Sequence, residues 1–346
     1  MSPPPQRAPR LPRSDEGKPR TSPTEDDKLR AAIESSIISS ADRPVKWSDI
    51  IGVEAAKEAL REAVVLPLRL PHLFGSHRSA WRGILLYGPP GTGKTFLARA
   101  CATEVNGTFF SVSASDLVSK WHGESERLVK TLFTMARERK PSVIFIDELD
   151  SIAGARAEGE AEGSRRMKTE LMVQLQGFGD QSGVLVLGAT NLPWSLDSAV
   201  LRRFDRRIYV SLPDEPARRQ MFKKRLADVP NSLGDRDYDE VARRTGGLSG
   251  SDIDGICRDA LMRPVRRLTS ATYFRPAVVG GKEGVLPCGA ADSGAVRNSW
   301  TAYDGDELLE PPLEARDLAE AFRSATPTVS SKEIELHRQF SITGMQ

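Results

Sequence analysis

The chain has 346 residues, enough for two or three packed units, and 39% hydrophobic with 28% charged residues is the profile of a globular protein, not a disordered one. A formal net charge of +2 gives no reason to expect direct nucleic-acid binding. Three cysteines (Cys101, Cys257, Cys288) lie far apart without a CxxC pair, which argues for a reducing compartment and against disulfides or a zinc site. No apolar run nears the roughly 20 residues of a bilayer span, and the N-terminus lacks the apolar region of a secretory signal. A cytoplasmic protein is the plain reading.

Residues 1–24 hold seven prolines and five Arg or Lys with almost nothing apolar, a stretch unable to offset its ordering entropy and therefore read as a disordered tail. Thr24 opens a helical pattern with Glu25, Asp26 and Asp27 in its first turn and Leu29, Ile33 and Ile37 on one face. From Val45 strands alternate with helices. Strands are predicted at Gly83–Tyr87, Thr108–Val112, Val143–Asp147, Val184–Ala189 and Arg207–Val210, and helices at Lys94–Val105, Ser125–Arg139 and Ser164–Phe178. Such alternation predicts a mostly parallel sheet covered on both faces. Beyond Pro213 helices dominate: Pro216–Leu226, Tyr238–Arg244, Ser251–Met262, Pro264–Ser270, Leu313–Ser324 and Ser331–Phe340. Residues 276–305 interrupt them with Gly, Pro, Ser and Asp around short β-like pieces near Val285 and at Val296–Trp300.

The run Gly88-Pro89-Pro90-Gly91-Thr92-Gly93-Lys94-Thr95 follows a predicted strand and precedes a helix, the context a phosphate-binding loop requires. Its glycines let backbone N–H groups turn inward around phosphate oxygens at the positive end of a helix. Lys94 suits the β- and γ-phosphates of ATP, Thr95 suits Mg2+, and Phe96 is the next residue at the nucleotide. Val143-Ile-Phe-Ile-Asp147-Glu148 has the form of the strand that completes such sites, taken to lie adjacent to the loop. There Asp147 suits the Mg2+ shell and Glu148 the attacking water. Asn191, at the end of the next strand, either orients that water or simply starts a turn. Arg202 and Arg203 belong to a cluster of four arginines in six residues, which is either a solvated face or an arginine finger reaching across a subunit boundary.

These elements in this order, with Gly250-Ser251-Asp252 opening a later helix, resemble an AAA ATPase. Val45-Lys-Trp-Ser-Asp-Ile-Ile-Gly52, Leu66-Pro-Leu, Ser119-Lys-Trp121, Gly123-Glu-Ser-Glu, Ile208-Tyr and Pro213-Asp resemble its meiotic clade, which includes katanin, spastin and fidgetin. Within that clade three stretches are similar to the vacuolar protein sorting-associated protein 4 family, whose members disassemble ESCRT-III polymers. They are Ser111–Trp121, the Gly- and Glu-rich run Arg156–Arg166, and Leu286-Pro-Cys with Ser299-Trp300-Thr.

The resemblance implies a P-loop (AAA+) large α/β domain with a parallel sheet and flanking helices, plus a small helical domain carrying a short β insertion. The boundaries expected are a tail at 1–24, a linker helix at 25–44, the large domain at 45–213, the small domain at 214–275, the insertion at 276–310 and the remaining helices at 311–346. It further implies that Lys94 and Thr95 bind ATP and Mg2+, that Asp147 and Glu148 are the paired acids, and that Asn191 senses the γ-phosphate. Arg202 and Arg203 match the finger pair acting on a neighbour's nucleotide, which makes the active form a hexamer. Lys120, Trp121 and His122 match a first pore loop, with His122 where the family usually carries Met. Glu158, Gly159 and Glu160 match a second. A flat aromatic such as Trp121 grips varied sequence with large contact area at low rotamer cost, although a core position would serve a tryptophan too.

ESCRT-III-like subunits are the implied clients, an activator protein the implied visitor at the insertion, and endosomal membranes the implied place, reached through partners only. About 24 residues stand where the family carries its N-terminal microtubule-interacting-and-transport domain, too few to build it, so recruitment through that module is not expected. A microtubule-severing or generic unfoldase would share this engine. A non-hydrolysing nucleotide-dependent scaffold would not need Glu148 or the arginine pair.

Overall fold

The structure, a computed structural model, describes residues 25–38, 44–74, 81, 83–119, 124–154, 162–176, 183–279 and 281–343. Helix α1 (Glu25–Ser35) buries Leu29 and Ile33 one turn apart, as their spacing predicts. It stops short of Ile37, the third residue expected on that face. The Ser35 and Ser36 hydroxyls donate to the Ala32 and Ile33 carbonyls, competing with the helical ladder. The β-branched pair that follows leaves the helix as edge strand β1 (Ile37–Ile38). A second helical stretch, α2 (Glu54–Leu60) and α3 (Leu66–Arg69), is joined by a π-turn at Arg61–Val65. Pro67 carries no N–H, and the widened turn ahead of it absorbs the missing rung.

The central part runs β2 (Gly83–Tyr87), α4 (Lys94–Glu104), β3 (Thr108–Ser113), α5 (Ala114–Ser119), α6 (Ser125–Glu138), β4 (Ser142–Asp147), α7 (Asp150–Ala153), α8 (Glu162–Gln176), β5 (Val184–Thr190), α9 (Ser198–Leu201) and β6 (Arg206–Tyr209). The sheet order is β1-β3-β4-β5-β2-β6; β2 to β6 are parallel and only β1 runs antiparallel. Alternate residues of β2 enter opposite layers. Ile84 and Leu86 pack with Leu97 and Cys101 of α4, while Leu85 packs with Leu128 and Phe133 of α6. Burial on both faces explains why these strands read as unbroken apolar runs. One expectation fails here: β5 lies between β2 and β4, so the strand ending in Asp147 is not adjacent to the loop strand.

Helices α10 (Glu215–Leu226), α11 (Asp235–Arg244) and α12 (Gly250–Ser270) share a second core with Phe222, Tyr238 and Ile256 at its centre. The break expected at Pro264 is absent and α12 is continuous. Arg263 and Arg267, either side of the proline, pair with Glu320 and Asp317 of α13 (Ala315–Ser324). Tertiary packing thus carries the helix across its missing donor. Strands β7 (Tyr273–Val279), β8 (Lys282–Pro287) and β9 (Val296–Arg297) form an antiparallel sheet in the order β8-β7-β9. This sheet begins at Tyr273, before the predicted interruption, and Trp300 sits in a 3-10 turn instead of a strand. The last helix, α14 (Ser331–Thr343), leaves the helical unit and returns to the large sheet. There the Phe340 ring meets Tyr87 edge-on at 5.2 Å and the Tyr87 hydroxyl lies 3.2 Å from Ser341 Oγ.

Candidate nucleotide site

The loop between β2 and α4 is shaped by three glycines with positive φ: Gly88 at 153°, Gly91 at 74° and Gly93 at 89°. Two of these positions are also sterically reserved. A Cβ on Gly88 would stand 2.1 Å from the Val210 carbonyl, and one on Gly91 would stand 2.0 Å from Ser251 Oγ. The Thr92 hydroxyl donates to the Pro89 carbonyl at 3.0 Å and closes the turn from inside. Pro89 is buried, Pro90 half-buried, and Phe96 exposed on the first turn of α4.

Lys94 is buried, its Nζ donating to the carbonyls of Gly88 at 2.8 Å and Pro89 at 2.9 Å. Burial pulls its ammonium down to about 8, against the opposing pull of Asp147 and Asp150. Thr95 Oγ1 donates to Asp147 Oδ2 at 3.0 Å, and Asp147 Oδ1 accepts from the Glu148 N–H at 2.9 Å. A hydroxyl and a carboxylate converging beside the glycine-rich loop are hard oxygen donors of the kind magnesium takes. The residues present fit that ion.

Glu148 has a φ of 52°, the left-handed region, where a residue with a Cβ is uncommon. The conformation is over-determined by its neighbours: the Leu149 N–H donates to the Ala189 carbonyl at 2.9 Å and the Ser151 N–H to Glu148's own carbonyl. Its carboxylate is exposed and accepts from Ser115 Oγ at 2.8 Å and Ser113 Oγ at 3.2 Å. Neither serine stood out in the sequence as a partner of Glu148. Asn191 follows β5 directly and is half-buried. Its predecessor Thr190 is locked, donating to Asp150 Oδ1 at 2.6 Å and accepting from the Leu192 N–H at 3.0 Å.

Sequence reasoning also missed what stands behind the loop. The Ser251 N–H at the start of α12 donates to the Gly91 carbonyl at 3.2 Å. His337 of α14 is buried between the rings of Trp194 and Tyr209, its Nδ1 without a hydrogen-bond partner. Burial and the Lys94 charge push it down to about 4, against the pull of Glu333. Separations of more than a hundred residues left no local signal for either contact.

Arg202 and Arg203 are remote from this loop. A Cβ on Gly83 would stand 2.8 Å from the Arg203 carbonyl, which puts the pair at the start of β2. The loop leaves the other end of that strand, about 13 Å away at the usual rise per residue. The candidate pore residues Lys120, Trp121, His122, Glu158, Gly159 and Glu160 lie outside the described residues.

Comparison with known proteins agrees with this geometry. Residues 84–212 match the ATPase family associated with various cellular activities (AAA), residues 235–275 the AAA+ lid domain, and residues 285–342 the Vps4 C terminal oligomerisation domain. The chain is 50% identical over 337 residues to vacuolar protein sorting-associated protein 4B of Mus musculus, covering 94% of this chain and 76% of that protein. It is 48% identical over 324 residues to the protein SUPPRESSOR OF K(+) TRANSPORT GROWTH DEFECT 1 of Arabidopsis thaliana, with 92% and 73% covered. Among solved structures, the FIGL-1 AAA domain in complex with ADP superposes with a TM-score of 0.76 at 36% identity, over 93% of this chain and 98% of that one. A nucleotide-binding loop, a lid helix seated on it and a C-terminal oligomerisation segment occur here in one polypeptide. The chain belongs to the vacuolar protein sorting-associated protein 4 family of AAA ATPases, and it hydrolyses ATP.

Proposed function

We propose that the chain works as a hexameric ring that threads ESCRT-III-type subunits through a central pore and so disassembles their polymers in endosomal sorting. The observation that carries the reading is the segment after α12: a three-stranded insertion, then α13, then a helix that returns to the strand leading into the loop. In this reading residues 45–213 form the motor domain, 214–275 and 311–346 the helical lid with its terminal helix, and 276–310 the insertion. An activator protein would bind that insertion. Residues 1–24 and 25–44 serve as tail and linker.

ATP lies with its phosphates against the amides of residues 88–95, and Phe96 contacts the nucleotide. Lys94 turns its ammonium from the Gly88 and Pro89 carbonyls to the β- and γ-phosphates. Thr95 and Asp147 hold Mg2+, which neutralises charge on the phosphates when bound. Glu148 orients the attacking water, and Asn191 sits where the γ-phosphate can be sensed. Arg202 and Arg203, at the far end of their own sheet, serve the neighbouring subunit's nucleotide and stabilise transition-state charge there. Lys120, Trp121 and His122, with Glu158, Gly159 and Glu160, grip the client.

The protein acts in the cytoplasm and meets endosomal membranes through its partners. No helix among the described residues is long and apolar enough to cross a membrane. Incubation of the purified chain with Mg2+, ATP and either ESCRT-III polymers or stabilised microtubules tests the assignment. Shedding of ESCRT-III subunits, abolished by Trp121→Ala with hydrolysis retained, supports it. Severing of microtubules without ESCRT-III release would move the chain to its severing relatives.

A further inference from the structure

Helix α9 is a single turn of four residues, too short to keep a helical direction by itself. Its orientation is inherited from whatever grips its ends. Val200 and Phe204 sink into the core at its C-terminal side. At its start Asp197 accepts from the Ala199 N–H at 2.9 Å, while the Asp197 N–H donates to the Ala153 carbonyl at 2.8 Å. Asp197 Oδ2 meets Lys168 Nζ of α8 at 3.0 Å, and the same ammonium donates to the Gly154 carbonyl at 2.7 Å. Lys168 is 4% exposed.

A pair with its ammonium buried and its carboxylate half-buried adds little net stability over apolar residues of equal volume, but it fixes direction, because ammonium and carboxylate must meet. One ammonium thus ties together the end of α7, the body of α8 and the cap of α9. What α9 delivers is Arg202 and Arg203, whose N–H groups donate back to the Ser198 and Val200 carbonyls at 3.1 and 2.9 Å. Two turns along α8 from Lys168, the Gln176 side-chain amide lies against the Arg203 guanidinium. Helix α8 therefore meets α9 at its capping end through Lys168 and at its arginine end through Gln176.

We propose that Lys168 is a positioning residue for ATP hydrolysis, acting through Asp197 and α9 to aim the Arg202–Arg203 pair. The inference rests on the reading that this pair serves the neighbouring subunit's nucleotide. The chain's own phosphate loop stands at the other end of the sheet, so removal of the ammonium slows turnover and leaves nucleotide affinity in place. A role confined to folding would lower both together.

Steady-state ATPase assays on the full chain test this, with Lys168→Met, Lys168→Arg, Arg203→Lys and the Lys168→Met/Arg203→Lys double variant. The expected result is a fall in kcat of about tenfold or more for Lys168→Met with KM for ATP within about twofold. Lys168→Arg, which keeps the charge, recovers most of the rate. In the Arg203→Lys background the further loss from Lys168→Met is less than about threefold, because both changes act on one unit. Fully multiplicative losses, or a rise in KM matching the fall in kcat, would overturn the proposal. Should Lys168→Met fail to fold, Asp197→Asn retains a capping acceptor, removes the ion pair and carries the same comparisons. Parental turnover by Arg202→Ala/Arg203→Ala would sink the finger reading itself. Parental turnover by Lys168→Met beside an inactive arginine double variant would sink only the positioning role.

Discussion

The Thr95 hydroxyl donates to Asp147 Oδ2 at 3.0 Å even though β5 separates the strands that lead to these two residues. The contact is possible because α4 starts at the carboxyl end of β2 and crosses toward β4, carrying Thr95 over the intervening strand. The loop after β2 therefore meets the acid that ends β4, and β5 ends beside them, its Thr190 donating to Asp150 Oδ1 at 2.6 Å. The carboxyl ends of parallel strands are where such sites form in open α/β sheets.

Lys94→Ala is expected to weaken ATP binding by on the order of a hundredfold or more, since it removes a buried cation aimed into the loop. Equilibrium titration with a fluorescent ATP analogue measures this. Folding should be spared, because an alanine at this site strands no charge. An affinity within about threefold of the parent would contradict the assignment.

Glu148→Gln keeps the size of the side chain and removes its charge. Turnover should fall by a factor on the order of 1000, while ATP binding persists and nucleotide-loaded rings accumulate. Phosphate release and light scattering report the two halves of that expectation. Hydrolysis at the parental rate would show that another group handles the water.

Gly88→Ala and Gly91→Ala separate two kinds of tightness. At Gly88 the obstructing atom is the Val210 carbonyl in the main chain, which cannot rotate away, and destabilisation by about 3 kcal/mol is expected. At Gly91 the obstructing atoms are the hydroxyls of Ser251 and Ser249, which can turn. That variant should unfold closer to the parent yet loosen α12 from the loop. Chemical denaturation ranks the two, and amide exchange at residues 249–253 tests the second claim; the reverse order would refute the steric argument.

His337 gives a pH dependence with a definite sign. Its folded-state value is depressed from 6.5 to about 4, so between those limits the unfolded chain binds more protons than the folded one. The stability it contributes is complete above about pH 6.5 and is lost as the pH falls toward 4. Glu333 opposes the shift and Lys94 reinforces it, so the window should widen when Glu333 is neutralised and narrow when the Lys94 charge is removed. Thermal melting from pH 7 to 4.5 should show a steeper decline for the parent than for His337→Leu. Parallel slopes would mean that the imidazole does not titrate against folding.

Most of the large sheet was legible because β2, β4 and β5 are apolar runs buried on both faces and the connecting helices follow them at recognisable signals. Lys94 marked the helix after the loop, and the structure begins α4 at that residue. The acids of β4 were legible as well, since an otherwise apolar strand ends in Asp147 and Glu148. Strand order was not: nothing local to Val184–Thr190 says that it inserts between two others. Pro264 misled, because helix-breaking propensity is outweighed by ion pairs to a distant helix, Arg267 and Asp317 being 50 residues apart. Strand β7 was missed although Val278-Val279 precedes Gly280-Gly281, a two-residue hairpin signature that Gly281 honours with a φ of 82°. The serines that hold Glu148 were invisible for a simpler reason: hydroxyls at a strand end can serve many partners.

The Tyr87–Ser341 contact joins residues 254 positions apart. A ribosome therefore exposes the nucleotide loop long before it can supply the helix that backs it. Until translation has passed α14, Tyr87 lacks the Phe340 ring and the Ser341 hydroxyl and keeps the Tyr209 ring beside it. Ribosome-stalled chains ending before Ser331 should accordingly hold ATP more weakly than released ones.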